Sequence, residues 1–331
     1  MTWFRPKAML ALPAVAATAL LVAGCGATTE RPGSNASGGS NCTPGAVTEA
    51  APPKPAAVTV NANSAAVAKL PDSIKSKGTL TIATDPSYPP NEFTAGNSSE
   101  IIGMDADLAN AIGKALGMKV QLLGISFDGI LSSVQSGRAD LAMSSLTDTK
   151  DREQTVDFVN YFKAGSSIMV RKCNPKGVKT DLDLCGKNVG AEQGTTQLDW
   201  MDTDPKKAED PSSLVKRCKD AGKQPPSGKG FPKQTDVNAA LQADRIDAYL
   251  ADTPVVDFAL AQNGAAFEKV GGDEGVAPYG IAVPKNGGTL KEAVQAAVQQ
   301  LITDGTYGKI LGNWGISGGA VTTATINGAQ S

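Results

Sequence analysis

Apolar and polar positions alternate in short blocks along most of the chain. TLTIAT (79–84) reads as a buried strand that stops at the turn DPSYPPNEF. From Asp105 to Leu116, Leu108, Ile112 and Leu116 recur at helical spacing, and Gly117 sits at the position where helices commonly end in a left-handed residue. KVQLLG (119–124) reads as a strand, Phe127 to Val134 as a second helix and Asp140 to Met143 as a short strand. This β-α-β-α-β order predicts a parallel sheet covered by helices on both faces.

The same pattern then recurs. KNVGAE (187–192) reads as a strand, GTTQLDWM (194–201) opens a helix, DVNAALQA (236–243) is another helix and IDAYLA (246–251) another strand. DTPVVDFALAQ (252–262) follows as a helix with Pro254 in its first turn and Asp252 or Thr253 as its cap. The intervening polar stretch carries one short helix around Leu214 to Ala221. YGIAV (279–283) is a strand. LKEAVQAAVQQLITDG (290–305) is the clearest amphipathic helix, with Leu290, Val294, Ala297, Val298 and Leu301 on one face, and TYGKILGNWG closes the pattern.

Two segments repeat one another: LSSVQSGRADLAMSS (131–145) and NAALQADRIDAYLAD (238–252). Each is helix, turn and strand; one ends on Ser145 and the other on Asp252. Open α/β sheets bind ligands at the carboxyl ends of their strands. Two similar lobes facing across a cleft would set a hydroxyl opposite a carboxylate, an arrangement that suits a zwitterion. Asp140 and Asp247, within the turns, are expected to hydrogen-bond backbone.

Composition limits the possibilities. Arg5 and Lys7 precede an apolar run from Ala8 to Ala23 and then Val22-Ala23-Gly24-Cys25, a secretory leader ending in a sequence that resembles a bacterial lipobox. Lipidation of Cys25 would tether the protein to the outer face of the cytoplasmic membrane. Residues 25–71, rich in Gly, Ala, Ser, Thr, Asn and Pro, read as a disordered stalk, and 318–331 as a flexible tail. The remaining part is large enough for two cores. The chain has no histidine, which removes the commonest general base and catalytic metal ligand. It has no basic stripe to attract nucleic acid.

The ordered set GTLTIATDPSYPPNEF, IIGMDADLANAIGKALG, SFDGILSSVQSGRADLAMSSLTDTKDRE, VGAEQGTTQ, LADTPV and DGTYGKILGNWGI resembles the family 3 bacterial extracellular solute-binding proteins, the polar amino-acid receptors of ABC importers. The resemblance covers the globular part in the right order. It implies a two-lobe α/β flytrap, each lobe a mostly parallel sheet flanked by helices. Lobe 1 would be 72–165 plus 279–317 and lobe 2 166–276, with hinge crossings near Gly165 and Pro278.

Carried over by position, Arg152 resembles the guanidinium that grips the ligand's α-carboxylate, a bidentate charge-assisted pair. Ser145 and Thr147 resemble the donors beside it, with Ser144 near the ammonium. Thr195 and Thr196 open a helix whose free N–H groups face an anion, although Thr195 also suits an ordinary cap. Asp252 resembles the acidic partner of the α-ammonium. Tyr88 and Phe127 resemble aromatic walls, with plain core packing the alternative for Phe127. Asp85 stands where the family often has an acid facing the ligand side chain, although an Asp before Pro also forms turns. Glu192 and Gln197 are expected at the far end of the pocket, and Glu192 departs from relatives that are apolar there.

The expected function is capture of a polar L-amino acid by lobe closure and delivery to a membrane permease, by a monomer without cofactor or metal. If Asp85 and Glu192 both reach the side chain, a cationic ligand (arginine, lysine, ornithine) is favoured, since two buried acids without a cation are costly; glutamine or another neutral polar amino acid is the alternative. A dehydratase-like enzyme, with Glu192 as its general acid, and a ligand-sensing module are the rival classes. Four cysteines besides Cys25 (Cys42, Cys173, Cys185, Cys218) allow three full pairings in an oxidising compartment, and the resemblance favours Cys185–Cys218.

Overall fold

Each run of apolar residues finds its own side of one sheet. The computed structural model describes residues 53–330; the leader with Cys25, the stalk before Pro53 with Cys42, and Ser331 lie outside the described residues. The strands are β1 (Thr79–Thr84), β2 (Ser87–Tyr88), β3 (Glu92–Thr94), β4 (Ile101–Ile102), β5 (Lys119–Gly124), β6 (Leu141–Ala142), β7 (Val156–Arg171), β8 (Asn188–Glu192), β9 (Ser227–Phe231), β10 (Ala248–Asp252) and β11 (Phe267–Pro284). The helices before β7 are α1 (Ser64–Lys69), α2 (Asp72–Lys75), α3 (Met104–Ala115), α4 (Ile130–Gln135) and α5 (Lys150–Glu153). Those after it are α6 (Thr196–Asp199), α7 (Pro205–Ala208), α8 (Leu214–Asp220), α9 (Gln234–Gln242), α10 (Thr253–Asn263), α11 (Leu290–Thr303) and α12 (Thr306–Trp314). Phe127–Gly129 is a 3₁₀ turn running into α4, so the second expected helix starts later and tighter than its apolar spacing implies.

The order in the main sheet is β5-β1-β6-β11-β7-β10-β8-β9. β1 runs parallel to β5 and β6, and β8 runs parallel to β9 and β10. Those parallel halves are the two lobes. β7 and β11 join them: they pair antiparallel from Phe267 opposite Arg171 to Pro284 opposite Val156, with register shifts between Val270 and Ala277. Gly165 lies at that shift; a Cβ there would stand 3.0 Å from the Glu274 carbonyl oxygen, so the two strands cross between lobes in close contact. The expected two lobes are thus joined by long strands into a continuous sheet. VDFVNYFKAGSSIMVR is buried on both faces for most of its length, so it lacks the alternation that marks a half-exposed strand.

The repeated segments do the same work twice. Asp140 Oδ2 accepts from Thr81 N (2.9 Å) on β1, and Asp247 Oδ2 accepts from Asn188 N (2.9 Å) on β8. Each turn carboxylate ties the strand it introduces to its parallel neighbour, and each pairs with a lysine, Lys77 and Lys176. Lobe 1 is packed on both faces, around Leu80, Ile112, Val294 and Trp314 on one and Ile130, Val134 and Phe158 on the other. Lobe 2 is packed around Val189, Leu214 and Leu250 on one face and Val237, Tyr249 and Val256 on the other. Cys185 and Cys218 form a disulfide with Cα atoms 5.7 Å apart.

Two expectations need correction. The stalk is not disordered through residue 71: Ala56, Val58 and Val60 pack on the lobe 1 core, and Ala66 and Leu70 are buried in it. Asn63 starts α1 by accepting from Ala65 N (3.0 Å) and Ala66 N (3.2 Å). Alternating apolar residues and one good cap outweigh a polar average composition. Nor is 318–330 loose. Asn160 N donates to the Thr325 carbonyl (2.8 Å), Asn327 N donates to the Phe158 carbonyl (3.0 Å), and Ala324 is buried. The segment satisfies β7 backbone groups that would otherwise lack partners.

Candidate functional site

The carboxyl ends of β1 and β6 face those of β8 and β10 across the cleft. Between them is a small cleft lined by Tyr88, Phe127, Ser145, Thr147, Arg152, Thr195, Thr196, Gln197 and Asp252. The lobes are closed: Ser87 Oγ donates to Glu192 Oε1 (3.2 Å), Asp252 N to the Tyr88 hydroxyl (3.1 Å) and Arg152 Nη2 to the Gly194 carbonyl (2.9 Å). Gly194 has φ 79°, and a Cβ there would meet Asp128 Cα at 2.9 Å, so both the turn and the lobe contact require glycine.

Arg152 lies on the single turn of α5. Thr149 caps that turn by accepting from Arg152 N (3.2 Å), and Nη1 donates to the Thr147 carbonyl (2.8 Å). The guanidinium stands 5.8 Å from the centre of the Phe127 ring, which is half-buried and forms a wall of the cavity. Burial lowers the Arg152 pKa, and the charges of Asp199, Asp252 and Asp148 oppose that shift. It remains a cation facing an acid across the cavity.

Asp252 ends β10 and precedes Pro254 in α10. Its carboxyl is pushed up by burial and held down by hydrogen bonds, among them one from Gln197 Nε2 to Oδ1 (2.7 Å), and by Arg152. Gln197 also donates to Ser166 Oγ (2.7 Å) on β7, so its amide is committed to holding Asp252. Thr195 caps α6, accepting from Leu198 N (3.3 Å) and donating to the Glu192 carbonyl (2.7 Å), so it is an ordinary cap as well as a cavity wall.

Asp85, Ser144 and Glu192 are buried behind this lining rather than in it. Asp85 Oδ2 accepts from Phe127 N (2.8 Å), which fixes the aromatic wall. Burial raises its pKa, opposed by hydrogen bonds from Ser87 and Phe127 and by the charge of Lys233. Ser144 Oγ accepts from Asp85 N (2.9 Å) and donates to Glu92 Oε1 (2.9 Å). Glu192 is pushed up to about 9 by burial and by the nearby Asp85 charge, and its Oε2 has no partner among the described residues.

Two further acids support the site. Ser145, at φ 49°, donates from N to Asp105 Oδ2 (2.7 Å) and from Oγ to Glu92 Oε2 (3.2 Å). Asp105, pushed up to about 6 by burial, also accepts from the Tyr161 hydroxyl (2.7 Å). Burial and the neighbouring Asp105 charge raise the Glu92 pKa well above its ordinary value. These residues hold the strained end of β6 that presents Ser145. The signal in sequence is an acid set three residues before Leu108 on the apolar face of the α3 pattern.

Among the described residues no group of three or more acids and cysteines could hold a metal, and no helix is long and apolar enough to cross a membrane.

The chain as a whole has known counterparts. The chain is 32% identical to the arginine-binding protein ArgT of Corynebacterium glutamicum over 78% of this chain and 82% of that one. It superposes with a TM-score of 0.62 on an ancestral arginine-binding protein bound to arginine, at 36% identity over 72% of this chain and 98% of that one. A structure of an ancestral arginine-binding protein bound to glutamine matches with the same score, identity and coverage. The profile of the bacterial extracellular solute-binding proteins, family 3, matches residues 80–317, and the chain belongs to that family.

Proposed function

We propose that this protein captures a free polar L-amino acid, arginine or a similar cation by preference, and presents it in the closed form to the permease of an ABC importer. The observation that carries this reading is the placing of Arg152 and Asp252 on opposite lobes of one cavity, with the acids Asp85 and Glu192 buried outside its lining. The α-carboxylate pairs with Arg152 and the hydroxyl of Thr147, since Ser145 spends its N–H and O–H on Asp105 and Glu92. The α-ammonium pairs with Asp252, which Gln197 aims. Only the closed form makes both sets of contacts, so a ligand that makes them shifts the population toward closure. No residue is assigned a catalytic role. Glu192, the one general-acid candidate, has Ser87 on one oxygen and lies outside the cavity lining. We assign lipidation to Cys25, and Cys25→Ala is expected to release the protein from the membrane fraction.

A neutral ligand is the second reading, because Asp85 is occupied by the Phe127 N–H and feels Lys233. Calorimetry with arginine, lysine, glutamine and glutamate decides between them. Arginine is expected to bind at least tenfold tighter than glutamine; the reverse order overturns the cationic reading. Arg152→Ala is expected to cost about 2–5 kcal/mol of binding, the range for a desolvated charge that loses its partner. Wild-type affinity in that variant would refute the clamp.

A further inference from the structure

The last residues of the chain return to the loop that carries Arg152. After α12, residues 320–329 run back along β7, with Ala320 bridging Phe162 and Ile326 bridging Val159. Asn327 reads the edge at close range: its Oδ1 accepts from Phe158 N (2.8 Å) and its Nδ2 donates to Asp157 Oδ1 (3.0 Å). The next two residues leave β7 for the 147–153 loop. Gly328 N donates to Asp148 Oδ2 (2.9 Å) and to Asn160 Oδ1 (2.9 Å), and Ala329 N donates to Glu153 Oε1 (3.2 Å). Asp148 is 2% exposed and also accepts from Asn160 Nδ2 (2.8 Å). There is no space for a side chain at Gly328, where a Cβ would stand 2.3 Å from Asn160 Oδ1.

Asp148 follows Thr147, and Glu153 follows Arg152. The two residues lining the cavity are therefore flanked by two acids that the tail binds. α5 between them is a single four-residue turn, too short to hold its own geometry in water. On its other side the loop is held by Asp148 N to the Pro278 carbonyl (2.8 Å) and by the bridge between Thr147 and Tyr279. β11 fixes one side and the tail fixes the other.

We propose that residues 327–329 are a positioning strap for the Arg152 loop, so that the C-terminal tail sets how tightly the site grips a ligand carboxylate. The tail does not touch the cavity; it acts through Asp148 and Glu153 on the direction in which Arg152 points. This rests on Arg152 being the carboxylate clamp.

A double-mutant cycle separates a strap from a general support of lobe 1. The full-length protein, a chain ending at Ile326 and the substitution Gly328→Ala are each made with Arg152 and with Arg152→Ala. Arginine binding is measured by calorimetry and, for the weak variants, by ligand-observed NMR at millimolar concentration. The truncation and Gly328→Ala are expected to weaken binding tenfold or more when Arg152 is present, and less than twofold when it is absent. Equal weakening in both backgrounds overturns the strap, as does wild-type affinity in the two tail variants. If the truncated chain fails to melt cooperatively, Gly328→Ala carries the comparison alone. If glutamine rather than arginine binds the wild type, glutamine replaces it in the same cycle. If neither binds, the reading of the site falls and the strap with it.

Discussion

If the ligand's side chain reaches Glu192, that residue is expected to separate a cationic ligand from a neutral one. Closed, its carboxyl is buried beside Asp85 and pushed up from an ordinary 4.5 to about 9. In the open form it meets water and returns toward its ordinary value. A raised carboxyl favours closure only while it is protonated, so closure on a neutral ligand is unopposed below about pH 4.5 and weakens as pH rises toward 9. A guanidinium beside it reverses the preference, because the ionised acid then has a partner. Glutamine affinity is therefore expected to fall between pH 5 and 8, by up to about tenfold per unit, while arginine affinity holds. Calorimetry across that range measures both slopes. Glu192→Gln should flatten the glutamine slope and weaken arginine; a pH-independent glutamine affinity in the wild type would refute the argument. Of the cavity-lining residues, Ser145 and Asp252 were legible as the polar ends of the two repeated segments, and the others only through the family resemblance. The supporting acids Glu92 and Asp148 were not. Nothing in PPNEF or LTDTK shows that a carboxylate there is buried, since burial is decided by segments more than ten residues away.

At the scale of elements, what the sequence showed depended on contrast between apolar and polar positions. α3, α11 and the repeated α4-β6 and α9-β10 units alternate clearly and fold close to their pattern, α4 starting at Ile130 after the 3₁₀ turn. β7 and the first half of β11 do not. One is buried on both faces and the other bends at the lobe crossing, so neither carries a period of two. The tail differs from expectation for another reason: its few apolar residues, Val321, Ala324 and Ile326, are scattered among polar ones, and backbone hydrogen bonds and Asn327, which a hydropathy pattern does not register, complete its attachment. The Cys185–Cys218 bridge ties the start of the polar excursion to α8, one bond across 33 residues. In the chain-entropy picture such a loop contributes roughly 3–4 kcal/mol. Reduction is expected to lower the melting temperature of lobe 2 while arginine affinity stays within about threefold, because neither cysteine lines the cavity. A large loss of affinity with an unchanged melting curve would contradict this.

Across the whole molecule, two strands carry the chain between lobes, and every other described element belongs to one side or the other. The segment from Ala56 to Leu70 lies wholly on lobe 1. Ala56 N donates to Asp107 Oδ2 (2.7 Å), Asn313 Nδ2 to the Lys54 carbonyl (2.9 Å) and Gln300 Nε2 to the Asn61 carbonyl (3.1 Å). α1 packs beside α11. Asp107 binds Trp314 Nε1 (2.8 Å) with the same oxygen. Mechanically, lobe 1 would then be the stator and lobe 2 the rotor of a closing motion. A pull arriving through the chain before Pro53 would meet lobe 1 along α11 and α12, away from the β7–β11 crossing at Gly165. A tether attached there would hold the body without stiffening the jaw.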